Sequence, residues 1–135
     1  MFDKSKKHSA KDLFGKTNRI VEGTFIRGDI KSVADFRLDG ELIGNFFCEG
    51  KIVIGPTGKV IGNIVCKNAD IEGVYEGVIQ VAEMLTVKSK ASIKGEVAVG
   101  RLSVEPGAEF TATCKMRNNL KKVDDVAHEQ YAKAE

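Results

Sequence analysis

The chain of 135 residues has no tryptophan, only two histidines, and an odd number of cysteines, three. Both histidines, His8 and His128, lie near the ends of the sequence. A catalytic or metal site in the body of the chain would therefore lack imidazole, the most versatile base and metal ligand at neutral pH. Three cysteines do not suggest a disulfide framework. These absences argue against a metal site, a Ser-His-Asp or Cys-His centre and a disulfide-stapled domain.

Long apolar runs are also missing. No segment approaches the roughly 18–20 apolar residues that span a bilayer, and the first residues lack the apolar core of a secretory signal. We therefore expect a cytosolic protein, or one held at the cytosolic face of a membrane. The net charge is only +2, so no overall field indicates nucleic-acid binding. The charge is uneven: residues 1–19 carry +4 and residues 115–135 carry +1, which leaves −3 for the residues between them.

What the sequence does contain is a repeat, the glycine motif apolar-x-Gly-x-apolar. It occurs as IRGDI (26–30), LIGNF (42–46), VIGNI (60–64), YEGVI (75–79) and IKGEV (93–97). A sixth, degraded copy, FTATC at 110–114, has Ala112 where the others have glycine. The central positions are 16, 18, 15, 18 and 17 residues apart. Repeats of this length are typical of solenoids.

Residues at matching distances from the motif form columns of like side chains. Two columns are apolar and one is small: Ile30, Phe46, Ile64, Ile79, Val97, Cys114; Leu38, Ile54, Ile71, Val87, Val104; and Thr24, Gly40, Gly58, Gly73, Ala91, Ala108. Within each copy, apolar residues alternate with others, which is the period-two pattern of strands with one buried face. Helical periodicity is absent from residues 20–116.

These patterns predict an all-β fold over residues 20–116, a parallel β-helix of triangular section with about six coils. The glycine is expected where the chain turns or approaches a neighbouring coil closely. A left-handed helix needs sides of constant six-residue length, whereas here the repeat length drifts between 15 and 18 residues and one side is expected to change length, so the right-handed form is favoured. Residues 1–19 are predicted to be a flexible basic tail, and residues 117–135 a polar tail that could also cover one end of the rod.

Two stretches could suggest chemistry. GPTGKV at 55–60 resembles a phosphate loop, but a Walker A motif would need glycine at Val53 and Ser or Thr at Val60, so a turn between strands is the better interpretation. Cys48 and Cys66 fall in one column with apolar or small residues, which favours small buried hydrophobes over metal ligands. We therefore predict no catalytic, cofactor-binding or metal-binding residues.

The two ends of the predicted rod are the conspicuous surfaces. A solenoid without caps exposes strand edges and an apolar cross-section, and neither flanking segment resembles a cap. At the C-terminal end we predict a polymerisation interface of Phe110, Cys114 and Met116. At the N-terminal end we predict that Ile20, Ile26 and Ile30 play the matching part.

The leader MFDKSKK is predicted to bind a membrane surface. Met1 and Phe2 offer a small apolar wedge, and Lys4, Lys6 and Lys7 add attraction of about 1 kcal/mol each to an anionic leaflet. A single such tail binds weakly, but a polymer that presents many copies gains avidity. The alternative is an ordinary solvated basic terminus.

The Gly-punctuated coils of residues 20–116, between two polar tails and after MFDKSKK, resemble the bactofilin family. The resemblance implies a right-handed triangular β-helix that polymerises end to end into filaments without bound nucleotide. It also implies a bacterial cytoskeletal scaffold on the inner face of the cytoplasmic membrane that recruits cell-wall-modifying enzymes. The C-terminal segment departs from the family, because it lacks the proline-rich character of some members.

Two other functions stay open. An enzyme with its site between protomers, as on some left-handed β-helices, would need a histidine base or ligand on the rod. A monomeric or oligomeric ligand-binding solenoid would need a row of exposed aromatics. Of the nine Phe and Tyr residues, Phe36, Phe46, Tyr75 and Phe110 fall in inward columns. A structural, self-assembling protein that is not an enzyme is therefore the favoured prediction.

Overall fold

The computed structural model describes residues 16–116. The regular secondary structure of these residues consists of β-strands alone. Eleven strands follow one another: β1 (Thr17–Ile20), β2 (Phe25–Arg27), β3 (Ile30–Ser32), β4 (Asp35–Leu38), β5 (Glu41–Ile43), β6 (Phe46–Ile54), β7 (Lys59–Ile61), β8 (Ile64–Ile71), β9 (Val74–Val87), β10 (Ser92–Val104) and β11 (Glu109–Met116). All pairings between them are parallel. The predicted all-β parallel solenoid is confirmed.

The pairings arrange the chain as three sides of six stacked segments each. The first side precedes the glycine motif's central residue (25–27, 41–43, 59–61, 74–76, 92–94, 109–111). The second side follows it (30–32, 46–48, 64–66, 79–81, 97–99, 114–116). The third side completes the coil (17–20, 35–38, 51–54, 68–71, 84–87, 101–104). Six coils result, over residues 17–32, 35–48, 51–66, 68–81, 84–99 and 101–116.

The core is the stack of inward columns, and it matches the columns seen in the sequence. Ile30 pairs with Phe46, Phe46 with Ile64, and the series continues through the remaining coils to Cys114. The largest side chains of the middle coils, including Tyr75, are fully buried. Within residues 16–116, no polar or charged residue is buried. The buried tyrosine, Tyr75, carries a hydroxyl group, which donates a hydrogen bond of 2.6 Å to the Gly62 carbonyl.

Coil length varies at the corners and not along the sides. The corner between the third and first sides has four residues in four places (21–24, 55–58, 88–91, 105–108) and two residues in two places (39–40, 72–73). The corner between the second and third sides has one or two residues, where the register shifts. The prediction that one side changes length was therefore wrong. The right-handedness of the β-helix stays a prediction.

The central glycines of the first five motif copies share a positive φ, between 124° and 150°. A Cβ on Gly44, Gly62, Gly77 or Gly95 would overlap the carbonyl oxygen of the motif glycine one coil earlier. The predicted close approach of neighbouring coils is thus confirmed. Among residues 16–116 only glycines have positive φ, so Ala112 does not adopt this conformation in the sixth copy.

Within residues 16–116, no helix is long and apolar enough to cross a membrane. The predicted leader residues, Met1, Phe2, Lys4, Lys6 and Lys7, lie outside the described residues, as does the predicted tail at 117–135.

The glycine column offers a stability test with an internal control. Gly62 and Gly28 have nearly the same φ, 143° and 140°, but only Gly62 faces a preceding coil, since nothing lies within 4 Å of a Cβ built on Gly28. Gly28→Ala should cost about 1–3 kcal/mol for backbone strain alone. Gly62→Ala should cost clearly more, because its methyl group would meet the Gly44 carbonyl. Denaturant unfolding of both variants measures the difference, and equal losses would show that close approach is not the reason for the glycine.

Candidate assembly interface

The N-terminal end of the rod is an open strand edge. β1, β2 and β3 each pair with only one neighbouring strand of residues 16–116. Their apolar inward side chains, Ile20, Ile26 and Ile30, are only partly buried and pack against the core from this end. The structure therefore brings together the three residues predicted for this interface on one face, which we call the N-terminal face.

The N-terminal face also has a polar corner that the sequence analysis missed. Asn18 and Ser32 occupy inward columns that are apolar or cysteine in the next coil, where Phe36 and Cys48 stand. The Asn18 amide donates a hydrogen bond to the Ser32 hydroxyl over 3.1 Å, and that hydroxyl donates to the Ala34 carbonyl over 2.9 Å. Because these two inward side chains are polar, this corner contributes little hydrophobic driving force.

The C-terminal end is the second open edge. β11 pairs only with β10, and residues 101–104 of β10 pair only with β9 within the described chain. Phe110 and Cys114 are partly buried and pack against the core, whereas Met116 is 57% exposed. Cys114 Sγ lies 3.9 Å from Met116 Sδ. The three predicted residues thus share the end surface, which we call the C-terminal face.

Leu102 and Val104 complete the C-terminal face and were not predicted to belong to it. They end the inward columns of the third side, and Val104 is 42% exposed. When the copies are counted from the glycine motif, residues 101–104 precede the sixth motif and so resemble an interior segment. A count of six segments on each side would have placed residues 101–104 in the last coil.

Charge distinguishes the sides of the rod from its ends. Along the length of the rod, charged groups pair between coils, as in Lys51–Asp70 on the third side at 3.0 Å and Lys88–Glu105 at a corner at 3.8 Å. The inward positions of the two end faces hold no charged side chain. Covering the inward side chains of either face with another apolar surface would therefore bury no charge.

The two core cysteines are placed as predicted. Cys48 and Cys66 pair in adjacent coils and are fully buried. Burial raises the pKa of the Cys48 thiol to about 11 and that of Cys66 well above its ordinary value. No group of three or more His, Cys, Asp or Glu side chains in residues 16–116 could hold a metal ion. The suspected phosphate loop is a tight turn, closed by a 2.8 Å hydrogen bond from Gly58 N–H to the Gly55 carbonyl.

Comparisons with known proteins point to one family. A family model described as "Bactofilin: Polymer-forming cytoskeletal" matches residues 18–115, which is almost the whole stack of coils. A curated relative, bactofilin BacP of Myxococcus xanthus (strain DK1622), is 25% identical over 114 residues, covering 80% of this chain and 47% of that protein. The chain spans about half the length of the curated relative it matches. No solved structure matched the chain.

The cysteines allow a chemical test of which surface is the rod's end. The thiolate is the reactive form, so Cys48 and Cys66, neutral and buried at pH 8, should resist alkylation in the folded protein. In unassembled protein, such as the Phe110→Arg variant described below, Cys114 should react first, because it lies on the partly exposed C-terminal face, although partial burial also raises its thiol pKa. Peptide mass spectrometry after iodoacetamide treatment measures the order. Alkylation of Cys66 as fast as Cys114 would contradict the described packing.

Proposed function

The chain belongs to the bactofilin family of polymer-forming cytoskeletal proteins, and we propose that it assembles end to end through its N-terminal and C-terminal faces. The observation that carries the proposal is the contrast between ends and sides. The sides and corners along the rod carry charges paired between coils, while both ends present partly exposed apolar side chains beside strand edges that pair on one side only within residues 16–116. We propose a structural role and no enzymatic one, and the description of the family supports it.

Hydrophobic burial is the main driving force that the C-terminal face could supply. Five inward residues, each at the end of its column, form this face: Leu102, Val104, Phe110, Cys114 and Met116. If another rod removed about 100 Å² of apolar surface from these five residues together, the gain would be about 2–3 kcal/mol at ~25 cal/mol per Å². The N-terminal face has three apolar inward residues beside a polar pair, so the C-terminal face is the stronger candidate of the two.

Open strand edges supply the second contribution. The outer N–H and C=O groups of an edge strand are free to pair with another strand, which is why natural sheets usually protect their edges. A rod placed on either face could continue the hydrogen-bond ladder across the junction. Since both contributions come from the polypeptide itself, we propose that filaments form without nucleotide.

Besides assembly, we propose membrane attachment and a scaffolding role. We propose that residues 1–7, with Met1, Phe2 and three lysines, attach filaments to the inner face of the cytoplasmic membrane. Many leaders on one filament would turn weak individual binding into stable attachment. The filament would then offer repeated sites to enzymes that modify the cell wall. The family resemblance supports these steps.

Phe110→Arg tests the C-terminal face. An arginine buried without a partner is costly, so the variant should remain folded and rich in strand but form only monomers, or dimers joined through the N-terminal face. Thr111→Arg is the matched control, because Thr111 neighbours Phe110 on β11 but is exposed and points outward. Negative-stain electron microscopy and sedimentation, without added nucleotide, should show filaments for the control alone.

Two outcomes would count against this assignment. Long filaments of Phe110→Arg would show that the C-terminal face is not the interface. Loss of strand signal in circular dichroism would show that Phe110 is needed for the core itself. In that case Val104→Arg, at a more exposed position of the same face, provides the second test.

Removal of residues 1–7 tests membrane attachment separately from assembly. The shortened protein should still form filaments but should no longer co-sediment with vesicles that contain anionic lipid. Full-length protein with purely zwitterionic vesicles is the control, and it should bind weakly because the attraction to the lysines is electrostatic. Undiminished binding of the shortened protein to anionic vesicles would rule out the leader as the anchor.

A further inference from the structure

The second side of the rod has an unusual outward column. Outward residues on this side form a single column, one per coil: Lys31, Phe47, Val65, Gln80, Ala98 and Lys115. In the four middle coils this column carries no charge, whereas each outward column of the first and third sides has at least two charged residues there. We call the four uncharged residues the second-side stripe.

Val65, in the centre of the stripe, is covered. It lies between Ile64 and Cys66, which point inward, so the alternation of a strand directs Val65 outward. It is nevertheless only 1% exposed, and within residues 16–116 it is the one buried apolar residue that does not belong to the core cluster. Val74, another outward valine, on the first side, is 41% exposed. The stripe therefore has packing of its own, outside the solenoid core.

Residues 120–135 have the pattern of a segment that could pack there. At about 100° per residue, a helix would place its apolar side chains within an arc of about 140°. These are Leu120, Val123, Val126, Ala127, Tyr131 and Ala134. All seven charged residues of the segment fall outside that arc. Asn118 and Asn119 directly precede the pattern, and asparagine is a favoured residue at the start of a helix.

We propose that residues 120–135 form an amphipathic helix that lies lengthwise on the second-side stripe. β11 ends at Met116, on the second side of the last coil, so the chain leaves the stack at the edge of this face. A helix of 16 residues is about 24 Å long. The distance from the sixth coil back to the first, five strand spacings, is also about 24 Å. The helix can therefore cover the stripe from end to end.

Charge favours this segment over residues 1–15. The stripe is flanked by Lys31 in the first coil and Lys115 in the last. Residues 124–135 carry a net charge of −3 and would lie over the earlier coils, toward Lys31, whereas residues 1–15 carry +2. The negative end of the helix dipole would also face Lys31. The helix thus acts as an intramolecular strap on the one uncharged column.

Hydrogen–deuterium exchange of the full-length protein, followed by peptide mass spectrometry, tests the strap. Amides of residues 120–135 should exchange at least about tenfold more slowly than in an unstructured peptide. Val65→Asp should remove this protection, because it places a charge under the helix. Val74→Asp, the same change at an exposed outward valine, should leave it intact. Equal protection in both variants, or none in the unaltered protein, would overturn the proposal.

A second pair of variants keeps the test decisive if Val65→Asp disturbs the fold. Ala127 lies on the apolar arc and Ala132 lies on the charged one, so Ala127→Asp should abolish the protection and Ala132→Asp should not. Protection that appears only as the protein concentration rises would assign the stripe to a second copy. Protection of residues 1–15 that is lost in Val65→Asp would assign it to the leader. Either result would overturn the proposal.

Discussion

The first five coils of this protein approach one another so closely at one corner that only glycine fits between them. Gly44 N–H donates to the Ile61 carbonyl of the next coil over 3.0 Å, and a Cβ on Gly44 would overlap the carbonyl oxygen of Gly28. The corner therefore keeps adjacent coils in register, and the inward columns stay aligned only while it does. The continuous core and the flat end faces both follow from this alignment, because a slip of one residue would turn apolar side chains outward.

Much of the fold could be predicted from the sequence because stacked coils repeat the same contacts. The series Ile30, Phe46, Ile64, Ile79, Val97 and Cys114 was recognisable as a column and is paired in that order. Alternation reports only whether a side chain points inward or outward. It could not reveal that Val65 is buried on the outside, since that depends on packing beyond the repeat. It also could not show that Asn18 donates a hydrogen bond to Ser32, because their contact joins residues 14 positions apart.

The candidate interfaces were predictable in the same limited way. Phe110, Cys114 and Met116 could be assigned to an end because the glycine motif degrades there. Leu102 and Val104 could not be assigned by that criterion, because their segment precedes the last motif and resembles the interior. The exposed residues at each end are set by the side of the β-helix on which the first coil begins and the last coil ends. The two faces consequently differ: one is apolar across all three sides, and the other contains a polar pair.

The corners between the third and first sides differ in length, while the sides do not. A four-residue corner such as 55–58 and a two-residue corner such as 72–73 both connect segments whose pairing is unbroken. Loop closure costs little more free energy when a few residues are added. These corners are therefore the places where insertions and deletions can accumulate during evolution without shifting the ladder or altering either end face. One edge of the rod can diversify what it presents to other molecules while the architecture beneath it stays the same.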